Sequence, residues 1–139
     1  MEEANRKLIQ SFTNLKKALD RLEEALNENQ ENSLIVDGTI QRFEFTIEVY
    51  WKMLKRLLLS EGIEAKTPRE TLKEAYQVGW LQDEQAWLQM LKDRNETSNA
   101  YDEEMARKIL ENIVRYFPTM KTTFHNLERQ YMKEFDKNE

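Results

Sequence analysis

The chain has no cysteine and little glycine, proline or histidine. Without cysteine, disulfides, thiolate nucleophiles and cysteine-ligated metal sites are excluded; this fits a reducing compartment, so we expect a cytoplasmic location. Three glycines and two prolines are too few for the many turns of a β-sandwich or barrel, which favours a few long helices. The single histidine, His125, cannot form a histidine metal cluster, and we expect neither a metal nor another cofactor.

Long apolar runs and a positive net charge are also absent. No apolar stretch approaches the roughly 20 residues of a membrane helix, and the N-terminus lacks the basic-then-apolar order of a signal peptide. A protein that is neither exported nor membrane-embedded is therefore expected. The net charge of −5 provides no broad positive field for nucleic acid, so any such contact would be local.

Apolar residues recur at helical spacing along most of the chain. Residues 3–28 carry a heptad stripe, spaced 4, 3, 4, 3, 4: Leu8, Phe12, Leu15, Leu19, Leu22 and Leu26. Further helices are predicted at about 37–60, at 68–78, from Asp83 to the polar run 93–99, and at about 101–135 with a kink at Pro118. Residues 1–139 are therefore predicted to form one all-α domain, an up-and-down four-helix bundle with an additional short helix.

The short third helix has a clear start signal. Thr67 is the expected N-cap, Pro68 occupies the first turn, and Glu70 completes a capping box.

The second predicted helix is apolar on two sides. Its main stripe includes Ile40 and Ile47, whereas Phe45, Val49 and Met53 fall near the opposite side. Such a helix is buried on both sides, either between neighbours in its own bundle or against a second chain. This pattern is the main reason in the residues themselves to expect an oligomer.

A charged ridge separates these two sides. Glu44, Glu48, Lys52 and Arg56 follow one another at four-residue steps. A solvated helix face has this pattern, with Glu48 and Lys52 paired in the favourable order. Alternatively, Glu44 lines a polar cleft at an interface, since it lies only about 40° from the stripe centred on Ile40.

The run 93–101 contains a second group of polar side chains. Arg94, Asn95, Asn99 and Tyr101 are expected at a helix junction, where a planar cation, two amides and a phenol could hold a phosphate or a base. Asparagine also simply caps helices, so this group alone is a weak signal.

Three parts of the chain resemble one family. Residues 37–57 (DGTIQRFEFTIEVYWKMLKRL), Trp87 and residues 93–103 (DRNETSNAYDE) are similar to the nucleotidyltransferase substrate-binding proteins of the HEPN superfamily. The resemblance implies a helical bundle that forms a homodimer and associates with a separate minimal nucleotidyltransferase, usually encoded next to it. It also implies the substrate-binding role for this chain, with transfer catalysed by the other subunit.

One motif of the family is altered here. Many relatives carry Arg, four residues, His, one residue and Tyr; in toxin-like members Arg and His are implicated in metal-independent RNA cleavage, while the partner attaches AMP to Tyr. This chain has Arg94, then Asn99 in place of His, then Tyr101. An amide exchanges no proton near neutral pH, so Asn99 cannot act as the general acid or base.

These observations predict a non-catalytic subunit with a helix-lined cleft that takes nucleotide or RNA. The predicted cleft residues are Glu44, Glu48, Lys52, Arg94, Asn95, Asn99 and Tyr101, the predicted interface residues are Phe45, Val49 and Met53, and Tyr101 is the candidate site of AMPylation. The alternative is a ribonuclease toxin of a toxin–antitoxin pair, with Arg94 and Asn99 as catalytic residues and the nucleotidyltransferase as antitoxin. A third hypothesis is a structural bundle that shares only the scaffold of the family.

Overall fold

The computed structural model describes residues 2–97 and 102–137, and all regular structure in these two segments is helical. The helices are α1 (Glu2–Leu26), α2 (Ser33–Ser60), α3 (Pro68–Gln77), α4 (Glu84–Thr97) and α5 (Glu103–Lys137). This confirms the predicted all-α bundle, in which α3 is the short additional helix. No helix within the described segments is long and apolar enough to cross a membrane.

Helix α2 lies at the centre of the bundle and contacts each of the other four helices. Its fully buried residues include Phe43, Ile47, Tyr50 and Leu54. The ring of Tyr50 meets Trp87 of α4 edge to face, with centroids 4.8 Å apart, and its hydroxyl donates a hydrogen bond to the Met120 carbonyl of α5 at 2.8 Å. One side chain therefore joins three helices in the core.

The ends of α2 follow from local chemistry. The helix begins at Ser33, four residues before the predicted start, because the side chain of Asn32 caps it by accepting a hydrogen bond from the Leu34 N–H at 2.9 Å. At the other end Gly62 has φ +81°, and the Ile63 N–H donates to the Leu58 carbonyl at 2.9 Å. This is a Schellman motif, in which the left-handed residue is ordinarily glycine.

The predicted start of α3 is confirmed with one difference. The hydroxyl of Thr67 accepts the Glu70 N–H at 3.1 Å, as in a capping box. The carboxylate of Glu70 accepts the backbone N–H of Lys66, at 3.4 Å, instead of the N–H of the cap residue.

Helix α4 extends further than its polar sequence indicated. The run that was predicted to end the helix at residues 93–99 is helical through Thr97, so Asp93, Arg94 and Asn95 lie within α4 and not at a junction. Tertiary contacts overcome the weak helix propensity of this run, because Asp93 is buried against α5 and Arg94 is ion-paired with α2.

Helix α5 continues across Pro118, as the unbroken spacing of its apolar residues predicted. Proline has no N–H for the carbonyl four residues earlier, which belongs to Val114. Both residues lie on the exposed side of α5, where water can bond to that carbonyl.

The prediction of the interface residues of α2 is partly wrong. Phe45 is 61% exposed and Val49 is half-buried against the core, but Met53 is fully buried in the core of its own chain. Each four-residue step advances about 40° around a helix, so Met53 lies about 80° from Phe45 and has turned towards the bundle. Met53 is therefore not part of an outer face.

Replacing Gly62 tests the C-terminal cap of α2. A Cβ at this position meets no atom within 4 Å, so strain from the positive φ is the main effect of Gly62→Ala. We expect the free energy of unfolding in urea to fall by about 1 kcal/mol at a fixed protein concentration. Gly62→Asn is the control and should lose less, because asparagine tolerates this conformation; equal losses would contradict the explanation.

Candidate functional site

Two adjacent charged residues of α4 point to different neighbouring helices. Consecutive residues of a helix are separated by about 100°, and Asp93 contacts α5 while Arg94 contacts α2. The C-terminal half of α4 is thus attached on two sides by polar interactions.

The Arg94 side chain is held by an ion pair. Its Nη2 lies 2.6 Å from Oε2 of Glu48, and the two side chains are 32% and 28% exposed. The Nζ of Lys52 lies 3.4 Å from the other carboxylate oxygen of Glu48. Short, charge-assisted contacts of this kind fix the plane of a guanidinium, while its partial exposure leaves it accessible to a ligand.

Asn95 extends this site along α4. Nη1 of Arg94 donates to Oδ1 of Asn95 at 3.1 Å. The four polar side chains of Glu48, Lys52, Arg94 and Asn95 therefore form a continuous group at the contact of α2 with α4.

Asp93 is 3% exposed and accepts hydrogen bonds from three uncharged side chains. The donors are Gln89 Nε2 at 2.9 Å, Asn112 Nδ2 at 3.1 Å and the Tyr116 hydroxyl at 2.7 Å. Asn112 in turn accepts a hydrogen bond from Arg115. A buried carboxylate without such partners would be strongly destabilising, so this network holds α4 against α5.

The same contacts affect the tyrosine. Burial raises the pKa of the Tyr116 hydroxyl, and the hydrogen bond to the Asp93 carboxylate raises the pKa further. The hydroxyl therefore stays protonated and continues to donate to Asp93 well into the alkaline range.

The structure brings together four of the seven predicted cleft residues: Glu48, Lys52, Arg94 and Asn95. Glu44 lies one turn before Glu48 on α2 and is half-buried. Asn99 and Tyr101 lie outside the described residues. Glu48 pairs with Lys52 along the helix, as the solvated-face interpretation predicted, and it also pairs with Arg94 of α4. The alternative, in which Glu44 lines a polar cleft at an interface, stays a prediction.

The Asp93 network was not predicted from the sequence. The sequence does contain a signal for it, since two charged residues continue the apolar spacing of α4. Arg94 follows Trp87 and Leu91 at spacings of four and three, and Asp93 comes three residues after the buried Met90. Polar residues that continue an apolar stripe are buried only when they find partners. Two of the three donors to Asp93 come from α5, more than 15 residues later in the chain, and the partner of Arg94 comes from α2.

Within the described segments no group of three or more histidine and carboxylate side chains could hold a metal ion.

The family model for proteins described as "nucleotidyltransferase substrate binding protein like" matches residues 10–129. The chain belongs to this family. The HEPN superfamily, to which the resemblance assigned the sequence, is confirmed with it.

Two relatives agree with this assignment. A Haemophilus influenzae protein named probable ribonuclease HepT is 34% identical over 84 residues; the match covers 57% of this chain and only 58% of that protein. A crystal structure of a protein from Thermus thermophilus is similar with a TM-score of 0.76 and 34% identity, over 81% of this chain and 98% of that one. The fold and the family thus agree.

Removing the Tyr116 hydroxyl tests the Asp93 network. We expect Tyr116→Phe to lower the free energy of unfolding at pH 7 by about 1.5–3 kcal/mol, because it removes a hydrogen bond to a buried carboxylate. Tyr76→Phe is the matched control at a 40% exposed position and should change stability little.

The pH dependence gives a second readout for the same variant. The pKa of Tyr116 is higher in the folded state than its ordinary value of 10.0. The Tyr116 hydroxyl therefore stabilises the fold fully below pH 10.0, and this stabilisation is lost as the pH rises beyond that value. The difference in the free energy of unfolding between wild type and Tyr116→Phe, measured by chemical denaturation, should therefore become smaller above that pH. A constant difference, or an equal loss in Tyr76→Phe, would contradict this account.

Proposed function

We propose that this chain is the non-catalytic substrate-binding subunit of a two-component minimal nucleotidyltransferase and works as a homodimer. The main support is the Arg94 guanidinium, which Glu48 holds in place beside Lys52 at a partly exposed contact of α2 and α4. A planar donor fixed in this way suits recognition of a phosphate or carboxylate group. Family membership supplies the expected catalytic partner.

The residues of the altered motif favour binding over catalysis. Arg94 keeps its capacity to bind a phosphate, and Tyr101 keeps the hydroxyl to which a nucleotidyltransferase could attach AMP. Asn99 has no side-chain proton to exchange near neutral pH, so the group needed to activate a ribose hydroxyl is replaced.

A strip on α2 with two exposed apolar side chains supports the dimer. Leu34 and Phe45 are 76% and 61% exposed, and Gly38 and the polar Gln41 lie between them at spacings of 4, 3 and 4. Large apolar side chains exposed along one line of a helix are typical of an interface. The strip runs towards Glu48, so a second copy docked there would lie next to the Arg94 site.

Phe45→Glu tests this dimer face. Since Phe45 is largely exposed, the substitution should leave the bundle folded, while a charge within an apolar contact disfavours association. By sedimentation velocity we expect the wild type at twice the 16.8 kDa mass of one chain and the variant at that mass. Val78→Glu, at a 40% exposed position after α3, is the control and should remain dimeric. A dimeric Phe45→Glu, or a monomeric wild type, would contradict the proposal.

A second candidate function is a ribonuclease toxin that its nucleotidyltransferase neutralises, with AMP on Tyr101. The name of the Haemophilus influenzae relative favours it. In that case Arg94 would take part in RNA cleavage, and Asn99 would have to function in a role that its amide chemistry disfavours.

Arg94→Ala separates the two functions. In an assay of nucleotidyl transfer by the partner, we expect the wild-type chain to support transfer and Arg94→Ala to reduce it by about tenfold or more, the usual effect of losing one charged contact. Arg6→Ala, an exposed arginine of α1, should behave like the wild type. Cleavage of RNA by the isolated chain that disappears with Arg94→Ala would favour the ribonuclease, and unchanged transfer would contradict the binding role of Arg94.

A further inference from the structure

A polar groove lies next to the Arg94 site, between α3 and α4. Its volume is about 590 Å³, within the size range of small-molecule sites. Asn95, which accepts the hydrogen bond from Arg94, also lines this groove. The groove and the Arg94 site are therefore continuous along α4.

The groove is locally positive in a chain whose net charge is −5. Arg69, Lys73 and Lys92 line it, against two carboxylates, Glu84 and Glu96. Lys92 lies 3.9 Å from Glu96. Within the described parts of the chain, Arg69 and Lys73 have no carboxylate within 4.0 Å.

Arg69 and Lys73 lie one turn apart on α3 and are both exposed. Residues at this spacing share one face of a helix, so both cations point along the same side of the groove. Guanidinium and ammonium groups are the side chains that bind phosphate oxygens in proteins, the former as a planar fork and the latter as a point charge.

The α4 side of the groove has a different character. The half-buried Leu88 and the buried Leu91 supply an apolar surface, and the amides of Gln85 and Gln89 lie beside it. An apolar surface with a few amide groups suits a base, whose faces are apolar and whose edges carry donors and acceptors.

We propose that the groove between α3 and α4 binds a nucleotide, with its phosphates on Arg69 and Lys73 and its base over Leu88. This inference rests on the proposed substrate-binding role and narrows the substrate to a phosphate-bearing molecule. A single nucleotide fits better than a long nucleic acid, because the net charge of −5 gives no extended positive path for a phosphate backbone.

The test is calorimetric titration of the isolated full-length chain with ATP at fixed salt. We expect saturable binding that the double variant Arg69→Ala/Lys73→Ala weakens by about tenfold or more, since two charge-assisted contacts are lost. The control is Lys17→Ala/Arg129→Ala, which removes the same charge from exposed positions on α1 and α5 and should bind like the wild type. Thermal melts verify that both double variants are folded.

Inorganic triphosphate and a ten-nucleotide RNA serve as competing probes. Absence of ATP binding, or equal weakening in both double variants, would overturn the proposal. Triphosphate binding as tightly as ATP would overturn the role of Leu88, and RNA binding more tightly than ATP through Arg69 and Lys73 would overturn the choice of a single nucleotide. A chain that supports the partner's transfer but binds no ATP refutes only the groove, whereas ATP binding without support of transfer refutes only the proposed function.

Discussion

The burial of α2 is the constraint on which the rest of the structure depends. This helix contacts every other helix, so its side chains determine where each neighbour packs. Tyr50 illustrates the effect, because its ring packs on Trp87 of α4 while its hydroxyl bonds to the Met120 carbonyl of α5. The accessible parts of α2 include its strip around Leu34 and Phe45 and its ridge around Glu48. The proposed dimer face and the Glu48 side of the Arg94 site therefore both lie on the accessible surface of α2.

The candidate site depends on two neighbouring charges that are satisfied in opposite directions. Asp93 accepts hydrogen bonds from α4 and α5, whereas Arg94 pairs with Glu48 on α2. Exchanging these roles would bury a guanidinium beside neutral donors, which is strongly unfavourable. The Asp93 network therefore does more than stabilise the bundle, because it fixes the rotation of α4 about its axis, and this rotation directs Arg94 towards Glu48 of α2. Stability and the geometry of the site arise from the same turn of helix.

Much of the fold followed from local patterns, and the remainder required long-range contacts. The spacing of apolar residues predicted five helices, and Thr67 marked a helix start that the structure confirms. The polar run at 93–97 was misread as a helix end, because local propensity does not show that Asp93 finds its partners on α5. Similarly, Met53 was predicted as an interface residue together with Phe45 and Val49, although the drift of the four-residue spacing brings it into the core of its own chain. The sequence predicted that Glu48 and Arg94 line one cleft, but it did not predict the ion pair between them.

The most direct test of the account is the native mass of this chain purified after co-expression with a minimal nucleotidyltransferase, the proposed partner. The account predicts a complex that contains two copies of this chain together with the partner. Under denaturing conditions the complex should separate into the partner and this chain, and the mass of this chain then shows whether it carries AMP. AMP on Tyr101 would identify the chain as a target of its partner as well as its binding subunit, whereas unmodified chains would indicate the binding role alone. Purification of this chain without any partner, at concentrations where the partner is folded and present, would contradict the central claim.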